Sequence, residues 1–183
     1  AGAAVAGACY VANAWLIGRL GLDLPAYSRY VAPVVEELAK AAVVGVLVRM
    51  HRVGFLVDGA ILGFAVGAGF AVVENLYYQH AVPDAGLGNW IVRGFGTAIM
   101  HGGATAIYTV ATLALIERAR PRVLAFAPGF ALAVVLHSAF NHMFLSPKFS
   151  TLAVLVVIPP LILYVFHRSQ QAVGDWLGRG FDS

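Results

Sequence analysis

Apolar residues run through this chain in long, nearly unbroken stretches, and polar residues collect between them. Six stretches stand out, at residues 3–20, 30–48, 55–78, 90–116, 124–145 and 151–167. A bilayer-crossing helix needs roughly 20 mostly apolar residues. Backbone in lipid must find its hydrogen bonds within its own segment, so stretches of this length predict helices. The breaks carry turn or charge signals: 19–28 with Pro25, 49–54, 79–89 with Pro83, 117–122 with Pro121 and 146–150 with Pro147. The pattern predicts an all-α, polytopic membrane helical bundle of about six transmembrane helices, forming a single integral membrane domain over residues 1–183. Pro159-Pro160 predicts a kink in the last span.

Composition strengthens this picture. Of 183 residues, 60% are hydrophobic and 11% charged, and mean hydropathy is +0.80; soluble chains average about half apolar and a quarter charged. The net charge of +3 does not indicate nucleic acid, because the basic residues sit in loops and form no patch interleaved with aromatics. Arg49, Arg52, Arg118, Arg120, Arg122, Arg168 and Arg179 collect on one side, and Arg19, Arg29, Arg93 and Lys148 on the other. The positive-inside rule then places both termini in the cytoplasm, in a plasma membrane of bacterial type, with Trp90, Tyr77 and Tyr78 at the outer interface. The first 18 residues lack a basic leader and predict a first span rather than a signal peptide. Cys9, the single cysteine, allows no internal disulfide.

Ionisable groups at membrane depth cost roughly 2.5–3.5 kcal/mol each on insertion scales. Here they are Glu36, Glu37 and Lys40 in the second span, Glu74 with Asn75 in the third, His101 in the fourth, and His137 with Asn141 in the fifth. One such histidine or asparagine is explained as readily by helix–helix hydrogen bonding as by function; the whole set is not. At about 1.5 Å rise per residue, all fall in the outer half of the bilayer. Glu36 and Lys40 are four apart, as are His137 and Asn141, so each pair shares a helix face. Arg93, Thr97, His101 and Thr105 form one stripe, and Gly59, Gly63 and Gly67 form another that leads to Glu74. The glycines predict close helix packing. His51, His80, His142 and His167 are expected in loop or interfacial roles, Asp58 and Asn13 as isolated polar residues, and Cys9 far from the cluster.

A carboxylate buried among apolar groups, yet close to Lys40, is poised between its two protonation states and suits a general base. It would activate water for attack on a carbonyl. Asn141 or Asn75 would steady the oxyanion, and a histidine would do so or protonate the leaving amine. Two histidines and a carboxylate are equally a zinc ligand set with an open position for water. Neither HExxH nor GxSxG occurs.

These residues form an ordered series of motifs: Glu36-Glu37-Leu-Ala-Lys40 as EExxK, Phe70-Ala-Val-Val-Glu74-Asn75 as FxxxEN, then His101, then His137-Ser-Ala-Phe-Asn141 as HxxxN. The series resembles the PrsW family of intramembrane proteases, relatives of the CAAX prenyl proteases and the Abi family. The likeness runs from about residue 31 to 141 and places a catalytic core at about 30–145. It implies cleavage of a membrane-anchored protein, such as a single-span anti-sigma factor, on the outer side. It implies Glu36 or Glu37 as the base, with His137 and Asn141 stabilising the tetrahedral intermediate. Lys40, Asn75, Arg93 and Phe70 are expected as substrate-binding or supporting residues. CAAX-type relatives show FxxxH where this chain shows FxxxEN, which leaves Glu74 as a second carboxylate or as a metal ligand with His101 and His137. Zinc is then a possible cofactor; the balance of residues leans towards a metal-free glutamate mechanism. The competing classes are a proton-coupled transporter, against which stand the absence of an inverted repeat and the confinement of polar residues to one half, and an inactive scaffold that binds a partner helix along the glycine stripe.

Overall fold

The computed structural model describes residues 1–50, 52–53, 55–81, 86–116, 120–142 and 147–181. His51, Pro83, Glu117, Arg118 and Ser146 therefore lie outside the described residues, and only the backbone is described at Arg168 and Arg179.

The described chain is a helical bundle. Helix α1 (Gly2–Leu20) ends at Gly21, whose φ of 63° is the left-handed conformation that closes many helices. Asp23 then accepts a 2.7 Å bond from the Ala26 amide and caps the short α2 (Leu24–Ala26). A π-helical turn, Tyr27–Val31, feeds into α3 (Ala32–Arg49). There follow α4 (Leu56–Ala81), α5 (Leu87–Ile116), a 3-10 turn (Arg122–Ala125), α6 (Phe126–His142) and α7 (Pro147–Phe181). Asp58, expected to be isolated, accepts from the Phe55 amide at 3.0 Å and caps α4.

Six long helices match the six expected spans, with two differences. Four stretches are long and apolar enough to cross a bilayer: Gly2–Leu20, Leu56–Ala81, Arg93–Ile116 and Arg122–His142. Helix α3 has 18 residues but carries Glu36, Glu37, Lys40 and Arg49; Glu36, Glu37 and Lys40 are buried inside the bundle instead of facing lipid, and Arg49 is exposed at the helix end. Helix α7 extends past the expected boundary, and runs on through Pro159 and Pro160. Large apolar residues such as Trp15, Leu38, Val72, Phe95 and Val135 point outward, as lipid-facing positions of an integral membrane protein do.

Helix α5 is the hub, packing against α3, α4, α6 and α7, while α1 packs on α3 and α4. Close approach of α4 to α5 follows from the glycine stripe. A Cβ at Gly63 would lie 2.8 Å from the Thr105 carbonyl, and one at Gly67 would collide with the His101 carbonyl. The absence of side chains there lets the two backbones touch. On α5, Thr105 and Thr109 return their hydroxyls to carbonyls one turn back, His101 O at 2.9 Å and Thr105 O at 2.7 Å, which satisfies these two donors within an apolar interface. Small apolar clusters seal the rest: Val5, Ala6, Cys9 and Phe70 between α1 and α4, and Val44, Ala104, Tyr108 and Ala133 among α3, α5 and α6.

Candidate functional site

Four helices place their ionisable side chains in one buried knot. From α3 come Glu36, Glu37 and Lys40, from α4 Glu74, from α5 His101 and from α6 His137. Lys40 is fully buried, and Glu37, His101 and His137 are at most 2% exposed. The Lys40 ammonium is 2.6 Å from Glu37 Oε1 and 2.8 Å from His101 Nδ1, and lies 4.4 Å over the ring of Phe70. His101 Nε2 is 2.8 Å from Glu74 Oε2. His137 Nδ1 is 2.9 Å from Glu37 Oε1, and its Nε2 is 3.9 Å from Glu36 Oε2. The two imidazoles meet edge to face, 4.5 Å between centroids.

These contacts fix the tautomers. An ammonium has only donors, so His101 Nδ1 must accept from Lys40, and Nε2 then carries the proton and donates to Glu74. A carboxylate has only acceptors, so His137 Nδ1 donates to Glu37, and Nε2 keeps its lone pair. Both nitrogens of His101 are thus engaged. His137 Nε2 is open, and so is the oxygen it faces: Glu36 Oε2 is buried without a hydrogen-bond partner. Glu37 is different, since its Oε1 takes both Lys40 and His137.

The glycine stripe explains the His101–Glu74 contact. Glu74 lies two turns beyond Gly67, on the face that Gly67 presses onto the His101 carbonyl. The EExxK spacing explains the Glu37–Lys40 pair, three residues apart and so neighbours on α3.

A cavity of about 510 Å³ opens beside the knot, between α1, α4 and the α2–α3 region. Glu36 and Glu74 line it; the rest of its wall is mostly apolar and aromatic, with Gly7, Ile17, Leu24, Phe70 and Tyr78 among the lining. Cavities of this size, apolar with a few converging polar groups, are typical small-ligand or side-chain sites. Cys9 lines it too, closer to the carboxylates than its sequence position suggested.

Other expected residues stand around this centre. Asn141 gives its amide to Ser28 O at 2.9 Å, and neighbouring Ser138 gives its hydroxyl to Arg29 O at 2.7 Å, so this end of α6 holds the π-turn in place. Asn75 reaches Gly94 O at 3.5 Å across the α4–α5 interface. The Arg93 guanidinium stacks 3.9 Å from the Tyr78 ring, and Phe70 packs on His101 with 5.0 Å between centroids. Asn13 was expected to be isolated and is not: its Nδ2 donates to Glu36 Oε1 at 3.0 Å, and its Oδ1 accepts from the Tyr27 hydroxyl at 2.8 Å. A lone amide in an otherwise apolar first span was the available signal for Asn13. Nothing in the spacing pointed to Tyr27.

Among the described residues, Glu36, His101 and His137 offer ligand atoms within 4.8 Å of one another; the geometry gathers Glu36 where the family resemblance suggested Glu74. The donor set of two imidazoles and a carboxylate suits zinc. The unpartnered Glu36 Oε2 and the free Nε2 of His137 fit a divalent ion, provided that His101 releases Lys40 or Glu74.

Comparison with known proteins agrees with this architecture. The family model described as PrsW family intramembrane metalloprotease matches residues 1–165. No curated protein matches, and no solved structure does.

Proposed function

Because the chain belongs to the PrsW family of intramembrane metalloproteases, and is therefore a peptidase acting on membrane proteins, we propose that it cuts its substrate at the α3–α6 knot with Glu36 as the water-activating carboxylate. The observation that carries this assignment is the contrast between the two adjacent glutamates. Glu37 is tied down by Lys40 and His137, whereas Glu36 lines the cavity and keeps a buried oxygen, Oε2, without a hydrogen-bond partner.

Water held between Glu36 Oε2 and His137 Nε2 gives its proton to Glu36 as its oxygen attacks the scissile carbonyl. The resulting tetrahedral centre collapses when the leaving amine regains a proton from Glu36 or through His137. Lys40 and Glu37 form the rigid pair that orients both imidazoles, and Glu74 holds His101 from behind. An apolar segment of the substrate seats in the 510 Å³ cavity, next to the reacting oxygen. The substrate is a membrane-anchored protein, with a single-span anti-sigma factor the type implied by the motif series. The orientation argued from the arginines puts both termini in the cytoplasm and the knot in the outer half of the membrane.

A second reading is favoured by the grouping within 4.8 Å and by the family's description. Glu36, His101 and His137 would hold a divalent ion such as zinc, which supplies an acidified water and polarises the carbonyl when bound. The metal-free reading accounts better for Lys40, whose ammonium already occupies His101 Nδ1 and supplies positive charge at the centre.

Two measurements decide. Glu36→Gln is expected to lose cleavage of a membrane-anchored reporter by about 10²–10⁴-fold, the range for a general base, with unchanged thermal stability; retained cleavage refutes the assignment. Elemental analysis of purified protein, with turnover in chelator, separates the two chemistries. One zinc per chain, lost in His137→Ala, would move the mechanism to the second reading.

A further inference from the structure

We propose that Asn13 of α1 is a positioning residue for Glu36, itself seated by Tyr27, and that this relay decides which carboxylate oxygen reacts. The inference rests on the assignment of Glu36 as the water-activating group. It adds a helix that lies outside all four motifs of the active centre.

A carboxylate held by nothing can turn about its last side-chain bond and offer either oxygen. Glu36 cannot do so freely, because Oε1 accepts from Asn13 Nδ2 at 3.0 Å. The orientation of the Asn13 amide is fixed in turn. Tyr27 is 3% exposed, and its hydroxyl donates to Asn13 Oδ1 at 2.8 Å. Turning the amide over would set Oδ1 against the Glu36 carboxylate, two acceptors facing each other, so the donor must point at Glu36. With Oε1 held, Oε2 is left buried, unpartnered and 3.9 Å from His137 Nε2. One oxygen is anchored and the other is available.

The chain positions both relay members by separate means. Asn13 sits on α1, which packs on α3 and α4. Tyr27 opens the π-turn, whose carbonyls at Ser28 and Arg29 are clasped by Asn141 and Ser138 of α6. A π-turn of this kind is a frequent feature of functional sites. The far end of the HxxxN motif therefore acts on Glu36 indirectly, through the turn that carries Tyr27. Asn13 and Tyr27 also line the cavity, so the relay lies where an arriving substrate would meet it.

The test uses the full-length chain in detergent micelles, with quench-labelled casein as the cleavage probe. Asn13→Leu keeps an apolar side chain of similar size and removes the donor. Its kcat is expected to fall 10- to 100-fold, KM to stay within threefold, and the unfolding temperature to stay within a few degrees. Asn13→Gln, which keeps a carboxamide donor, should recover a substantial part of kcat. Tyr27→Phe, which removes one hydroxyl and leaves the ring packed, should lower kcat 3- to 10-fold by loosening Asn13. A purely structural role predicts instead that activity follows the unfolding temperature across the series. The proposal is overturned if Asn13→Leu keeps kcat within threefold, if only KM moves, or if Asn13→Gln and Asn13→Leu are equally impaired. Should Asn13→Leu fail to fold, Tyr27→Phe carries the test alone, and unchanged kcat there overturns the relay. Glu36→Gln separates the two levels. An active Glu36→Gln removes the underlying assignment, whereas an inactive Glu36→Gln beside a fully active Asn13→Leu removes the relay only.

Discussion

Replacing Lys40 with methionine keeps most of the side-chain volume and removes the ammonium that joins Glu37 to His101. The Lys40–Glu37 pair is 2.6 Å apart with both partners essentially inaccessible, so solvent screens it little. At an effective dielectric near 20, Coulomb attraction over this distance is about 6 kcal/mol. Desolvation of both ions offsets part of it, and breaking a buried pair by removing one partner typically costs about 3–5 kcal/mol. The loss is large because Glu37 would remain in the bundle interior without its ammonium partner, with His137 Nδ1 as the remaining donor. For a chain of this length that cost lowers the unfolding temperature by roughly 6–20 °C. Thermal unfolding of the purified protein in detergent, followed by circular dichroism, measures it. The double variant Lys40→Met/Glu37→Gln removes both charges and is expected to recover more than half of the lost stability while staying catalytically impaired. A Lys40→Met protein as stable as the parent would refute the account of Lys40 as the charge that makes α3 compatible with the core. So would a double variant less stable than the single one.

Glu37→Gln and Glu36→Gln are expected to separate cleanly. The first leaves Lys40 buried without its carboxylate and should unfold about 3 kcal/mol or more below the parent, while the second should abolish cleavage at parental stability, both read by unfolding and reporter cleavage in parallel. Gly67→Ala places a methyl group against the His101 carbonyl, an overpacking cost of about 1–3 kcal/mol or more; it should also pull Glu74 from His101 and lower kcat, whereas Gly18→Ala, which meets nothing within 4 Å, should do neither. Gly7 lines the cavity, and a Cβ there also meets nothing within 4 Å. Gly7→Trp should therefore fill the cavity from α1 and raise KM for the casein probe by tenfold or more with little change in unfolding temperature, and an unchanged KM would remove the cavity as the substrate seat. Turnover is expected to persist in chelator with well under one metal ion per chain by elemental analysis, and a stoichiometric ion would transfer the chemistry to the Glu36–His101–His137 set.

How far the sequence reached depends on what each residue type can signal. Spans in lipid are marked by apolar length alone, which is why residues 3–20 and 90–116 differ little from Gly2–Leu20 and Leu87–Ile116. The convergence of Glu36, Glu37, Glu74, His101 and His137 was legible for a related reason. An ionisable group in an apolar span needs a partner, and several groups at one depth can satisfy one another. Pairing was not legible. Spacing along α3 joins Glu36 to Lys40, four apart, yet the ammonium sits on Glu37, three apart; both separations bring side chains together on a helix, and only the positions of His101 and Phe70 choose between them. Glu74 likewise stood open as a second carboxylate or as a metal ligand with His101 and His137, whereas the close α4–α5 contact at Gly67 commits it to His101 Nε2.

Asn13 and Tyr27 were hidden for a different physical reason. Their partners lie 23 and 14 residues away along the chain, across helices whose relative rotation no local pattern specifies. Three carboxylates stand in the bundle, and Lys40 is the ammonium at their centre. Two of them are bonded to cationic or imidazole donors: Glu37 Oε1 to Lys40 and His137, and Glu74 Oε2 to His101. Glu36 differs in having an amide on one oxygen and its other oxygen buried without a hydrogen-bond partner. A buried polar atom without a partner costs free energy, and it persists where the surrounding structure enforces it. The enforcing contacts here come from α1 and the π-turn, elements that carry no motif of their own. Under the assignment proposed above, the reactivity of Glu36 depends as much on what ties Oε1 as on what faces Oε2.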